Sequence, residues 1–567
     1  MIGLGCMRFS TDPARDDAAA RALIAAAIAG GVELLDTADA YCHDDGDRGH
    51  NETLIGEARS GAVTIVTKGG LERPGGAWVP NGRGRHLAAA ARASKQRLGE
   101  IDLYLLHAVD PKVSLATSVG ALAKLRDDGI VRAIGLANIG LAQLEQALAF
   151  TAIAAVEVEL GPWKLDAIRG GLVAACAARG IRVLAHRPLG GPAGVKRAAR
   201  DPVIGEIAKR HAATPAEVVL AWLRSLSPAI TTLPGATRAE TIASAIRGQR
   251  LVLDADARHE LAAHLLEVRG RHATAIAQHA SEVVMIAGMP AAGKSTIAAD
   301  YVERGYVRLN RDDRGGTLLE LARAIDDELA GGAARIVVDN TYATRASRAP
   351  VIEVAQRHGA SVRCIVVTTP IEQAQAHACA RILERHGRLD APGEIRPGVQ
   401  FRYRRDFEPP RADEGFDEIV EVTPPRLATG RYTGLVVELD AIVWVGKPLI
   451  PSKIVLAEGA AEALAAWPVV GATLWRPGAT AAAIAALAAR LVELAGIPID
   501  VRACPHLAGP PVCWCRKPLP GLALVLARDH DLDLARSPHL GRGAADRGFA
   551  LRAGMPFASI ADGWPRP

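Results

Sequence analysis

The densest chemical signal in the chain is a glycine-framed run, Gly288-Met-Pro-Ala-Ala-Gly293-Lys294-Ser295. Gly288 and Gly293 let backbone N–H groups turn toward phosphate oxygens. Lys294 can reach the β and γ phosphates of a nucleotide, and Ser295, with Thr296 beside it, can ligate Mg²⁺. The apolar VVMIA before the run and the helical TIAADYVERG after it give a strand–loop–helix setting, which adds the positive potential of a helix N-terminus. Downstream, Asp312 in LNRDD and Asp339 in VVDNT each follow an apolar run. Asp312 could accept the proton of an attacking hydroxyl; a Mg²⁺ carboxylate or a plain strand cap are the alternatives. A second signal is Cys504, His506, Cys513 and Cys515, three thiols and an imidazole within twelve residues. That set fills tetrahedral Zn²⁺ completely, as in a structural site; buried free cysteines are the bland reading. A third signal is dispersed: Asp36, Lys68, His107, Asn138 and His186 each stand at or just beyond the end of an apolar run.

The elements that must position these groups fall into three segments. Eight apolar runs separated by Ala-rich helical stretches occupy residues 1–270: 2–6, 32–37, 63–68, 102–107, 131–137, 154–160, 181–186 and 229–234. This predicts a closed parallel (β/α)₈ barrel, whose strand C-termini form the catalytic face. A polar linker is expected over 271–281, a P-loop α/β unit over 282–425, and a last α/β unit over 432–567. The 23% of charged and 49% of hydrophobic residues exclude a disordered chain. The net charge of +5 allows an anionic substrate without demanding one, and 4% aromatics disfavour a base-stacking platform. The opening MIGLGCMRFS lacks a signal-peptide pattern, and the apolar stretches are broken before ~18 residues, so no membrane span is expected. With eight cysteines and no export signal, metal is favoured over disulfides and a cytoplasmic location is expected.

IGLGCMRFS, ELLDTADAY, TKGG, IDLYLLHAVDP and LPGATR resemble the aldo-keto reductases over essentially all of residues 1–270. The resemblance implies a catalytic tetrad of Asp36, Tyr41, Lys68 and His107. Tyr41 would protonate the oxyanion that forms as a carbonyl takes hydride, with Lys68 making its proton easier to move. Asp36 would balance Lys68, and His107 would donate to the developing alkoxide. It also implies NADPH, with its nicotinamide near Asn138 and Glu157, His186 at the stacking position and Arg238 near the adenosine phosphate. Glu157 stands where the family usually has Gln, His186 where it has Tyr, and Ser244-Ala245 where an acidic-Asn pair is common. The hairpin that usually plugs the barrel bottom is expected to be absent or to lie upstream of Met1.

GMPAAGKST, RGYVRLNRDD, VVDNTYATRASR, IEQAQAH and YRRDFEPPRADEGF resemble the kinase domain of the polynucleotide 5′-kinases. This makes Asp312 the candidate general base and Arg381, or else Arg385, a lid arginine on the transferring phosphoryl group. Arg345 and Arg348 are candidate phosphate contacts, and Arg402, Arg404 and Arg405 form a basic strip suited to nucleic acid or to solvent. CPHLAGPPVCWCRKPLPG resembles the zinc-clasped branch of the haloacid dehalogenase-like phosphatases, which act on histidinol phosphate or heptose bisphosphate. It implies a Rossmann-like α/β fold with Asp440 as nucleophile, Thr473 and Lys517 on phosphate, and a metal turn at Gly541–Asp546. Ile442 replaces the acid/base, and Arg542 replaces a metal ligand, which implies an inactive scaffold. The whole chain then reads as a fusion of carbonyl reduction with phosphorylation of a polynucleotide 5′-hydroxyl, in nucleic-acid end repair. A metabolic fusion that reduces and phosphorylates a small sugar-like molecule is the second reading, and an ATP-switched binding protein the third.

Overall fold

The computed structural model describes residues 1–268, 270, 280–444, 450–509 and 513–567, with Trp444 described by its backbone alone. Most of the expected linker, 271–281, therefore lies outside the described residues. Two compact units divide the chain: Met1–Arg269 with Arg345–Pro350, and Gly270–Thr344 with Val351–Pro567.

The first unit contains all eight expected strands, each within two residues of the predicted bounds. They are β1 Gly3–Gly5, β2 Leu34–Asp36, β3 Thr64–Gly69, β4 Leu103–Leu106, β5 Ala133–Ala137, β6 Ala155–Glu159, β7 Arg182–His186 and β8 Ile230–Leu233. Every neighbouring pair is parallel, in sequence order. A bridge from Gly5 to Gly235 and the bond from Gly5 N–H to Pro234 O (3.1 Å) close the sheet into a barrel. Closure brings β1 so near β8 that a Cβ on Gly3 would stand 2.8 Å from the Thr232 carbonyl, so only glycine fits there. Inside, Leu34, Val66, Leu103, Leu105, Ala137, Ala155, Leu184 and Leu233 form one buried cluster that fills the barrel. Strands buried on both faces explain why the sequence shows continuous apolar runs and not alternation.

The second unit holds two five-stranded parallel sheets. Strands β9 Glu282–Gly288, β10 Val307–Leu309, β11 Arg335–Asn340, β12 Ser361–Val367 and β13 Glu418–Val422 pair in the order β10-β11-β9-β12-β13. Strands β14 Leu435–Glu438, β15 Val470–Trp475, β16 Asp500–Cys504, β17 His539–Gly541 and β18 Phe557–Ser559 pair in the order β16-β15-β14-β17-β18. In both sheets the first strand in sequence is central, so its C-terminal end sits where the order reverses and a ligand crevice opens. One hydrophobic cluster joins the sheets: Cys379, Ile382 and Leu383 of the helix Ile371–His386 pack with Leu522, Leu526 and Phe549. No helix among the described residues is long and apolar enough to cross a membrane.

Candidate active sites

At the C-terminal end of the barrel, Lys68 is completely buried and ringed by polar partners. Its ammonium bonds the Asp36 carboxylate, Tyr41 Oη at 3.2 Å and the Thr37 carbonyl at 3.0 Å, and it pairs with Glu157 at 3.2 Å. Burial opposes the charge on Lys68, but Asp36, Glu157 and Tyr41 hold its pKa well above the usual lysine value. Burial pushes both carboxyls up, and in Glu157 the neighbouring Asp36 adds to the shift. Two carboxyl groups thus share one cation. Burial also raises the Tyr41 phenol, and Lys68 only partly offsets this. Lys68 thus acts on the Tyr41 proton in the expected direction, while burial, the larger influence, keeps the phenol protonated for donation. The His107 ring lies edge-on to Tyr41, 5.5 Å between centroids. Burial, then Lys68 and His186, hold it neutral, and its Nδ1 has no partner among the described residues.

The cofactor residues are only partly gathered. Asn138 adopts a left-handed backbone (φ 57°), tolerated by Asn, and its amide donates to the His107 carbonyl at 2.9 Å. Its Oδ1 lies 3.2 Å from His186 Nε2, and burial lowers His186 to about 4, leaving it neutral. Arg238 is exposed at the start of the helix Ala239–Arg250. Glu157 is turned onto Lys68 and 3% exposed, so it belongs to the proton-holding cluster as much as to any nicotinamide contact.

In the second unit, Gly288 ends β9, and a Cβ on it would stand 2.9 Å from Val367 Cβ. Gly293 has φ 97°, and Lys294 opens the helix Lys294–Glu303. Lys294 Nζ donates to the carbonyls of Gly288 (2.9 Å) and Met289 (2.8 Å), and burial lowers its pKa to about 8. Ser295 Oγ donates to Asp339 at 3.2 Å, so hydroxyl and carboxylate stand together where Mg²⁺ would be held. Arg308 grips the same carboxylate with two bonds of 2.8 and 2.9 Å. Asn310 caps the short helix Arg311–Arg314, accepting from Asp312 N–H at 2.6 Å, which leaves the Asp312 carboxylate exposed. The Arg381 charge adds to the lowering of Lys294, whereas Arg385 pairs with Glu394. Arg348 is completely buried, so the phosphate contact expected of it is not offered at a surface.

At the end of β14 the structure corrects the expected nucleophile. Asp440 is exposed on the short helix Leu439–Ile442. The carboxylate that meets Thr473 and Lys517 is Glu438: Thr473 Oγ donates to it at 3.2 Å and the Lys517 ammonium bonds it. Lys517 also reaches Asp546 (2.8 Å) and His539 Nε2 (3.0 Å), while Asp546 accepts from the N–H groups of Arg542 and Gly543. Asp440 and Glu438 are two residues apart, so strand alternation places them alike. The end of the strand decides between them.

The four clasp residues converge, with one ligand atom from each within 4.8 Å of the others. Cys504 Sγ lies 3.6 Å from His506 Nδ1 and 3.8 Å from Cys513 Sγ, and Cys515 Sγ lies 3.2 Å from His506 Nδ1. A tetrahedron with Zn–S of ~2.3 Å has edges of about 3.8 Å, so the set fits Zn²⁺.

Residues 1–265 match the model of the aldo/keto reductase family, and residues 283–405 match that of an AAA domain. The chain thus carries an aldo/keto reductase domain followed by a P-loop kinase-like domain. Among solved structures, a thermostable aldo-keto reductase in complex with the inhibitor epalrestat is similar at 28% identity, covering 46% of this chain and 93% of that one (TM-score 0.40). An aldo-keto reductase from a Medee basin deep-sea metagenome library matches at 24% over 46% and 89% (TM-score 0.39). The Bombyx mori aldo-keto reductase in complex with NADP matches at 21% over 46% and 87% (TM-score 0.38).

Sequence reasoning missed Arg73, Trp78, Arg308 and Glu438. A lone Trp in the Gly- and Pro-rich stretch RPGGAWVP was the available signal for Trp78; the others needed the fold.

The crowding around Lys68 has a pH signature. Glu157 has a raised folded pKa, so its stabilising protonated form is fully present below the unfolded carboxyl value of ~4.3 and is lost as pH rises through the folded value. Glu157→Gln removes that loss. Thermal unfolding of the barrel transition should show the variant about equal to wild type near pH 4 and more stable at pH 8.5, by ~1.4 kcal/mol for each pH unit that the folded pKa lies above the unfolded one. An equal loss at both pH values would mean that Glu157 is not protonated on folding.

Proposed function

We propose that the chain couples NADPH-dependent carbonyl reduction to ATP-dependent phosphorylation of a hydroxyl, the acceptor being a polynucleotide 5′-end. The buried Lys68–Asp36–Tyr41 cluster beside His107 carries the reductase reading. When bound, NADPH supplies the hydride; the chain's residues do the rest. His107 donates a hydrogen bond to the carbonyl oxygen, Tyr41 gives up its proton to the forming alkoxide, and Lys68 stabilises the phenolate left behind. Asn138, Glu157, His186 and Arg238 would hold the cofactor.

In the second unit, Lys294 and the loop amides would hold the nucleotide phosphates, with Ser295 and Asp339 holding Mg²⁺. Asp312, exposed above the loop, would take the proton from the attacking hydroxyl, and Arg381 would offset charge on the transferring group. The exposed Arg402 and Arg404 of the helix Pro397–Asp406 support a nucleic-acid acceptor; Arg405 is paired with Asp406. The last sheet is a haloacid dehalogenase-like scaffold braced by zinc. Glu438 is tied to Lys517, and the lack of an acid at Ile442 and of a metal ligand at Arg542 supports an inactive scaffold.

Three outcomes test this reading. Tyr41→Phe should lower NADPH oxidation with a small aldehyde by ~10²–10⁴-fold; wild-type turnover in that variant would remove Tyr41 from the mechanism. With radiolabelled ATP and a 5′-hydroxyl oligonucleotide, Lys294→Ala should abolish transfer, and Asp312→Asn should bind ATP yet stop transfer. Label on sugars and none on oligonucleotides would favour the small-molecule fusion, and ATP hydrolysis with no labelled product the binding-protein reading. Finally, the full chain should retain about one zinc after dialysis and lose it in Cys504→Ser, while hydrolysing p-nitrophenyl phosphate no faster than Glu438→Gln.

A further inference from the structure

Beside the tetrad lies a charge that the reductase chemistry above leaves unused. Arg73 follows the second residue of the two-residue strand Leu71–Glu72, which pairs antiparallel with Val79–Pro80. Its side chain is 93% buried, since the residue retains 7% exposure. Nη2 donates to the carbonyls of Cys42 (3.2 Å) and His43 (3.1 Å), the two residues that follow Tyr41. Nε and Nη1 have no hydrogen-bond partner among the described residues. The nearby acid, Asp45, is committed elsewhere: its carboxylate accepts from the Arg73 backbone N–H at 2.9 Å and from Arg48 at 2.7 Å. Arg48 also takes Asp39.

The guanidinium lies over the Trp78 ring, 3.8 Å from its centroid. That indole is 46% exposed and meets the site on its other side, edge-on to Tyr41 (6.4 Å) and to His107 (6.1 Å). Trp78 therefore borders the space beside the phenol and the imidazole where a carbonyl would sit, and Arg73 packs on the indole face. A guanidinium cannot shed its charge; Asp45 feels that charge but makes no hydrogen bond to the guanidinium, and burying a charge that is only partly answered is costly. The indole face offsets only part of that cost.

Resting on the reductase reading, we infer that Arg73 is the counter-charge for an anionic group on the carbonyl substrate, so that the barrel reduces carboxylate- or phosphate-bearing carbonyls in preference to neutral ones. The half-exposed indole covers the free N–H groups and turns aside as the anion enters. Arg73 sets specificity; Tyr41 and His107 still act on the oxygen.

The test uses the full chain, NADPH oxidation and two matched pairs: 4-oxobutanoate against butanal, and glyceraldehyde 3-phosphate against glyceraldehyde. The charged member of at least one pair should have a kcat/KM about 10–100-fold above its neutral partner, the range of a charge-assisted hydrogen bond. The pair that shows it identifies carboxylate or phosphate. Arg73→Met should bring the ratio close to one, chiefly through KM, and Arg73→Lys should restore part of it. Ratios near one in the wild type overturn the inference. So does an Arg73→Met variant that loses both members of a pair equally, since Arg73 would then only prop Trp78. Butanal reduction that survives Tyr41→Phe would instead sink the reductase site beneath it, and no turnover of any of the four carbonyls would count against both.

Discussion

One buried ammonium organises the barrel's working end. Lys68 has no exposed surface, and a cation in that position is tolerable only if its partners are anionic and close. Asp36 answers it from the neighbouring strand, the Thr37 carbonyl and Tyr41 oxygen complete its shell, and Glu157 reaches it from β6. Asp36 ends β2, Glu157 lies mid-way along β6 and Tyr41 follows in the loop after β2, so the parallel register of β2, β3 and β6 is what converts scattered residues into one cluster. The second carboxyl gives the cluster more acid than one lysine can balance. That excess is the main departure from the pattern the sequence resembles.

How much of this was legible depended on whether the information was local. Strand positions in the barrel were readable because doubly buried strands show as apolar runs, and the P-loop because its chemistry lies within eight consecutive residues. The clasp was legible for the same reason. Glu157 as a partner of Lys68 was not, because that pairing exists only once the sheet has curved into a barrel. The misplacement of the expected nucleophile on Asp440 has a different origin. Residues two apart point the same way along a strand, so pattern alone could not separate Asp440 from Glu438; the turn into Leu439–Ile442 did. The lysine beside Tyr41 was visible in a resemblance, whereas the depth of burial that raises the phenol was not.

The phosphate loop is internally tied. Lys294 turns back onto two carbonyls of its own loop, and Ser295 donates to Asp339. Arg308 compensates that carboxylate from the next strand. Lys294, Ser295, Asp339 and Arg308 are thus held by one another and by loop carbonyls.

The helix Ile371–His386 carries Arg381 on the kinase-like side and Cys379, Ile382 and Leu383 into a core shared with the last sheet. Trp514, set between two clasp cysteines, donates its indole N–H to the Ile395 carbonyl just beyond that helix. The second and third sequence segments are therefore one folding body despite their separate sheets. A cut near residue 430 would strip an apolar face from the helix that carries Arg381. The last segment thus serves as an inner wall for its neighbour.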